Sequence, residues 1–217
     1  MPSCQCQGIE GFFNQREARR RLWTYQRKGP DRGTRLLLDA LREAGIAEAT
    51  LLDIGGGIGA MQLELLAAGA ASATDVDAST AYLATAREES DRRGYAGRVT
   101  YRHGNFVELA PEIAPADVVT LDRVICCYHD MPGLVGASAS KALKLYGLVY
   151  PRDDRLVRAG GRVFNALMRL QRSPFRFFTH RTSAVEAVLR GAGLERRYHH
   201  TTGPWQVAVY ARVAPVA

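Results

Sequence analysis

The residues best able to do chemistry in this sequence stand at the ends of short apolar runs. The first such place is Leu51-Leu52-Asp53-Ile54-Gly55-Gly56-Gly57-Ile58-Gly59. Its glycines permit a tight turn and let a ligand lie against the backbone. A nicotinamide fingerprint needs Gly-x-Gly-x-x-Gly, but the sixth position counted from Gly55 is Ala60, and from Gly57 it is Gln62. A phosphate-binding loop needs a Lys after its last glycine, and none follows here. Asp53 adds a carboxylate at the strand end, which gains nothing beside a phosphate and attracts a cationic amino-acid ligand. A turn serving only packing leaves that acid unexplained.

Two later segments have the same form. Thr74-Asp75-Val76-Asp77-Ala78-Ser79 ends a second run, and its Val-Asp-x-Ser pattern favours Asp77 over its rival Asp75 as the ligand-facing acid. His103-Gly104-Asn105-Phe106 follows a third. Glycine turn, acid and amide in this order resemble the class I S-adenosylmethionine-dependent methyltransferases. The resemblance implies S-adenosylmethionine as cofactor, contacted by Asp53, Gly55, Gly57, Gly59, Asp77, Ala78, Asn105, Phe106, Leu121 and Asp122. It places Asp77 at the ribose hydroxyls, where a carboxylate accepts two hydrogen bonds. It places Asn105, where the family carries Asp, at the adenine amino group, with Phe106 packed on the ring.

A fourth run, Val118–Leu121, leads into the residues expected to meet the methyl acceptor. Asp122, Arg123, Tyr128 and His129 are the candidates, with His129, Tyr128 and Arg123 as catalytic groups. His129 can take a proton, and Arg123 can clamp a carboxylate or pair with Asp122. Cys126 and Cys127 read as packing thiols. Tyr25 closes over the cofactor or packs on the sheet edge, and His180 lines the pocket or caps a helix. Val118 to Tyr128, followed by Phe177-Phe178-Thr179-His180, resembles the magnesium-protoporphyrin O-methyltransferases; the family's His-Tyr-Pro run reads Cys127-Tyr128-His129 here.

These positions need a sheet to hold them. Thr50–Ile54, 71–77, Val99–His103 and Asp117–Leu121 read as strands, separated by helical patterns over 60–68 and from an N-cap at Ser79 to about Arg93. Helices are expected over 12–27 and from Pro30-Asp31 to Gly45. Leu145–Tyr150 is preferred to Gly161–Phe164 as the fifth strand, because Pro151 and Asp153-Asp154 then open a helix. Ser183 and Glu186 form a capping box for a further helix. Trp205 to Arg212 alternates with period two and pairs with 195–202. The fold expected is α/β: a Rossmann-like, doubly wound, mostly parallel seven-stranded sheet ending in an antiparallel hairpin, with N-terminal helices. A single domain over 1–217 divides into a helical cap (1–48), a cofactor-binding core (49–150), a lid or substrate segment (151–180) and a C-terminal helix and hairpin (181–217).

The 217 residues carry a net charge of +7, unevenly spread. Residues 16–35 hold +6, residues 36–140 hold −8, and residues 141–217 hold +10. Basic ends around an acidic centre attract an anionic substrate, nucleic acid or lipid, or are simply solvated. In 153–178, Leu156, Val157, Val163, Phe164, Leu167, Met168 and Leu170 interleave with Arg155, Arg158, Arg162, Arg169 and Arg172. That segment reads as a lid, as an interfacial helix on anionic membrane, or as a solvated packed helix. Neither Cys4/Cys6 nor Cys126/Cys127 has the usual zinc spacing, so no metal is expected. No apolar stretch spans a membrane, and no leader is apparent, so the cytoplasm is the expected compartment.

The leading reading is an enzyme that methylates a small, anionic, partly apolar molecule, most simply at oxygen by in-line displacement. An RNA methyltransferase is the rival among enzymes; the basic flanks favour it and the lack of regular aromatic interleaving disfavours it. A non-catalytic S-adenosylmethionine-binding module is the rival from outside enzymes.

Overall fold

The computed structural model describes residues 8–213, so Cys4 and Cys6 lie outside the described residues. Three helices lead in: α1 (Ile9–Phe12), α2 (Gln15–Lys28) and α3 (Arg32–Ala44). Strands and helices then alternate through β1 (Thr50–Ile54), α4 (Ala60–Ala67), β2 (Ser72–Asp77), α5 (Thr80–Arg92), β3 (Val99–His103), α6 (Phe106–Leu109), β4 (Ala116–Asp122), α7 (Met131–Ala139) and β5 (Ala142–Pro151). The chain finishes with α8 (Arg155–Leu170), α9 (Thr182–Gly191), β6 (Leu194–Thr202) and β7 (Trp205–Arg212).

The strands form one sheet in the order β3-β2-β1-β4-β5-β7-β6. The first five are parallel, and β7 runs antiparallel to both β5 and β6. Period-two alternation builds a core on each face. Leu51, Val118, Val149 and Val207 pack with Leu37, Leu41 and Leu65 of α3 and α4. Their neighbours Leu52, Val119, Leu148 and Ala208 pack on the opposite face with Leu134 of α7 and Leu189 of α9. Both faces being covered, the strands carry near-continuous apolar runs. Chain order reverses between β1 and β4, and the crevice outside their carboxyl ends is where such sheets bind ligands.

Local chemistry moved two expected boundaries. The helix expected over 12–27 is interrupted, because Asn14 Oδ1 accepts from the backbone N–H groups of Arg16 and Glu17 (3.0 and 3.2 Å) and starts α2 anew. The capping box of Ser183 and Glu186 is not formed. Arg181 is the N-cap residue of α9, and the Thr182 N–H donates instead to Asp153 Oδ2 at 3.0 Å. The alternative fifth strand, Gly161–Phe164, lies inside α8, whose first turn is capped by Asp154.

Candidate active site

The glycine turn joins β1 to α4 directly over the crevice. Gly55, Gly57 and Gly59 have φ of 66°, 60° and 81°, a region that side-chain-bearing residues avoid. Gly56 is needed for space: a Cβ there would come within 2.5 Å of Asp75 Oδ1 and 3.0 Å of Asp53 Oδ2. Beneath the turn lie three buried carboxylates. Asp53 accepts from the Thr120 hydroxyl at 2.7 Å, and Asp75 accepts from Gln62 Nε2 at 3.0 Å. Asp53 Oδ2 and Asp75 Oδ1 are buried without a hydrogen-bond partner among the described residues. Asp77 Oδ2 accepts from the Gly57 N–H at 3.0 Å and Oδ1 from the Ser79 N–H at 2.8 Å.

Burial raises all three acids. It pushes Asp53 up to about 7 against the pull of the Thr120 hydrogen bond. It pushes Asp77 up to about 6 against the N–H groups of Ser79 and Gly57. Asp75 is raised well above the usual carboxylate value by burial and by its neighbours Asp53 and Asp77. Such a cluster favours a cationic ligand and penalises an anionic one.

A cavity of about 710 Å³ opens over these groups. Asp53, Gly55, Gly57, Asp77, Ala78, Asn105, Phe106 and Asp122 all line it, together with Arg123 and Tyr128. Leu121 and Gly59 are not among its lining residues. Leu121 is fully buried in the core, and a Cβ on Gly59 would meet Gln62 and Ala86, so that glycine serves the packing of α4 on α5. Asn105 Oδ1 already accepts from the Val107 N–H (3.2 Å) and the Tyr128 hydroxyl (3.1 Å). It therefore ties the loop after β3 to the loop after β4.

Arg123 is held from several sides. Its guanidinium meets Asp122 at 2.8 Å, Asp31 at 2.5 Å and the Thr34 hydroxyl at 2.7 Å, and it lies 5.8 Å from the Trp205 ring centre. Burial opposes its charge, yet Asp122 and Asp31 keep its pKa above the ordinary arginine value. This network braces α3 against the end of β4. His129 is exposed, its ring 5.3 Å from that of Phe178, and it does not line the cavity. His180 Nε2 lies 2.9 Å from the Ile125 carbonyl and 3.0 Å from that of Tyr128, which holds the loop after β4 in place. Burial lowers its pKa, in keeping with a neutral ring that donates one N–H between two carbonyls. Tyr25 both lines the cavity and packs against Ile58 and Leu63, its hydroxyl donating to Glu64 at 2.7 Å.

Sequence reasoning gave 151–180 as a lid or substrate segment but did not bring Phe12, Phe13 and Trp205 to the same cavity wall. Phe12, Phe13, Phe164, Phe175, Phe177 and Trp205 form an aromatic wall drawn from α1, α8, the segment after it and β7. Phe12 stacks on Phe175 at 4.1 Å, and Phe175 is edge-on to Phe13 and Phe164. The local signals were the apolar positions of 153–178 and the density of Phe between 175 and 178; nothing in sequence brings α1 beside them. Arg20, Arg21, Lys28 and Arg35 line the cavity from α2 and α3. Arg20 and Arg21 pair with Glu17, whereas Lys28 and Arg35 make no ion pair among the described residues.

Residues 51–145 match the family model described as a methyltransferase domain. The strand order and the glycine turn already described agree with that match. Residues 51–145 form a methyltransferase domain on the fold of the class I S-adenosylmethionine-dependent enzymes. The fold is similar to that of magnesium protoporphyrin IX methyltransferase from Synechocystis PCC 6803, solved with bound S-adenosylhomocysteine. The TM-score is 0.72 at 16% identity, covering 94% of this chain and 98% of that one. It is also similar to an O-methyltransferase family protein from Burkholderia thailandensis (TM-score 0.67, 21% identity, 84% of this chain and 57% of that one). A third, an O-methyltransferase family 2 protein from Planctomyces limnophilus in complex with apigenin, gives a TM-score of 0.58 at 17% identity, with 86% and 63% covered. These likenesses are of fold. No match in sequence is found among curated proteins. The methyltransferase fold thus stands as expected from the sequence, with its glycine turn, second-strand acid and cavity in one crevice.

Proposed function

We propose that this methyltransferase transfers the methyl group to an oxygen of a small, anionic, partly apolar molecule in the cytoplasm. The observation that carries the reading is the lining of the cavity: an aromatic wall and cationic side chains, with no histidine among the described residues that line it. S-Adenosylmethionine, when bound, supplies an already activated methyl group on a sulfonium. The chain's own residues then bind, orient and exclude water, and orientation alone lowers such a barrier by about 7–11 kcal/mol. An acceptor that arrives ionised, as a carboxylate does, needs no strong base beside it. Lys28 and Arg35 attract that charge, and the phenyl rings take up the apolar part.

On the donor side, Asp77 has lone pairs left over from its two backbone donors with which to hold ribose hydroxyls. Asp53, which lines the cavity, places negative potential behind a seated cation when it is ionised. Tyr128 lies where both ligands meet and is the acceptor-orienting group in this reading; Arg123 positions the wall rather than the substrate. Of the described residues, 8–48 cap the site, 49–150 hold the donor and 151–180 close the acceptor side in this reading.

Two measurements test this reading. Incubation with labelled S-adenosylmethionine and a panel of aromatic carboxylates and neutral analogues should yield methyl esters or ethers only from the anionic members. Methyl transfer to RNA instead, with a steep salt dependence, would favour the nucleic-acid reading. Tight donor binding with no turnover on any acceptor would favour the non-catalytic module.

A further inference from the structure

Helix α8 has three distinct stripes, and only one of them faces the protein. At about 100° per residue, Phe164, Gly161 and Met168 share the inward side. Phe164 lines the cavity, Gly161 packs on Phe177, and Met168 is buried. Leu156, Val163, Leu167 and Leu170 fall within about 60° of one another on a second side. They are 85%, 61%, 50% and 81% exposed. Arg155, Arg158, Arg162 and Arg169 fall on a third side, again within about 60°. No acidic residue lies between Arg155 and Leu170, and Arg155, Arg162 and Arg169 make no ion pair among the described residues.

A solvated helix has no reason to leave four large apolar side chains in a continuous exposed row. The adjoining arginines limit what can cover that row. A second copy of this chain packed with its α8 antiparallel about a two-fold axis would bring two arginine stripes together and repel itself. A nucleic acid would use the arginines and leave the leucines in water. A surface that is apolar within and anionic at its face satisfies both stripes at once.

We propose that α8 docks the enzyme on an anionic membrane surface. Leu156, Val163, Leu167 and Leu170 enter the boundary between headgroups and acyl chains, and the arginine stripe pairs with lipid phosphates. No helix among the described residues is long and apolar enough to cross a membrane, so the contact is peripheral. The surface stands whatever the acceptor is. If the acceptor reading also holds, docking sets Phe164 and the aromatic wall beside the lipid, from which a partly apolar anion enters the cavity.

The test is co-sedimentation of the full chain with vesicles of phosphatidylcholine alone or mixed with phosphatidylglycerol, at low and high salt. Binding is expected to the mixed vesicles only and to weaken as salt rises. The pair Leu156→Gln/Leu170→Gln should abolish it, and Arg162→Gln/Arg169→Gln should weaken it about thirtyfold at low salt. All four positions are exposed, so both variants should keep the circular dichroism spectrum and the S-adenosylmethionine affinity of the parent. Absence of binding to mixed vesicles overturns the proposal, as does binding that the leucine variant retains. A dimer in light scattering that this variant dissociates, without vesicle binding, would assign the face to a second copy. Because sedimentation needs no turnover, its outcome is independent of the acceptor reading.

Discussion

Asp53, Asp75 and Asp77 concentrate negative potential under a turn that a side chain would block. A Val at position 57 adds about 1–2 kcal/mol of backbone strain at φ 60° and obstructs the ligand's approach. Gly57→Val and Asp77→Ala should each weaken S-adenosylmethionine binding at least tenfold by calorimetry. The raised acids also fix a pH dependence. Between the ordinary carboxylate value of 3.8 and about 7, the folded chain holds more protons on Asp53 and Asp77 than the unfolded chain does. Their contribution to stability is therefore present at low pH and lost as pH rises through that window. A sulfonium cation works in the opposite sense, since it is attracted most when the acids are ionised. The gain in melting temperature on adding S-adenosylmethionine should thus be larger above pH 7 than below pH 6. S-Adenosylhomocysteine, without the sulfonium charge, should show a smaller difference.

Among the elements, the segment between α8 and α9 depends on a few hydrogen bonds. Asn165 Nδ2 donates to the Phe177 carbonyl and its Oδ1 accepts from the Phe177 N–H, both at 2.8 Å. The Phe178 N–H donates to the Cys126 carbonyl at 2.7 Å. Asn165→Ala removes two bonds of about 1 kcal/mol each and frees the aromatic wall while leaving the donor side untouched. We expect a higher acceptor KM with an unchanged dissociation constant for S-adenosylmethionine. Loss of donor affinity would mean that the segment supports the whole crevice. Asp154 caps α8 by accepting from the N–H groups of Leu156 and Val157, both at 3.0 Å. Asp154→Ala should cost about 1 kcal/mol in chemical denaturation.

Over the whole molecule, charge is sorted by distance from the crevice. The acidic middle of the chain holds the carboxylates beneath the donor, whereas the basic ends contribute Lys28, Arg35 and the α8 arginines around it. In the proposed function, a cationic donor and an anionic acceptor would meet in one cavity without sharing a binding surface. Screening over about 8–10 Å at ordinary salt acts on the exposed rim more than on the buried acids. Acceptor KM should accordingly rise with ionic strength while kcat and donor affinity change little.

Much of this fold was legible in sequence because its signals are local. Strand runs, glycine turns and the caps at Asp31, Ser79 and Asp154 depend on residues within a few positions of one another. That Asp53, Asp77 and Asn105 line one crevice was legible for the same reason: in a parallel sheet each of them sits at the end of its own strand, so chain order alone brings them together. The aromatic wall was not. Its rings come from α1, α8, the segment after α8 and β7, and only tertiary packing stacks Phe12 on Phe175. Tertiary structure also moved His129 to the surface and committed Arg123 to Asp31, a partner 92 positions away. It likewise gave α9 its start through Asp153. Periodicity reports which residues share a face; it does not report which face of another element they meet.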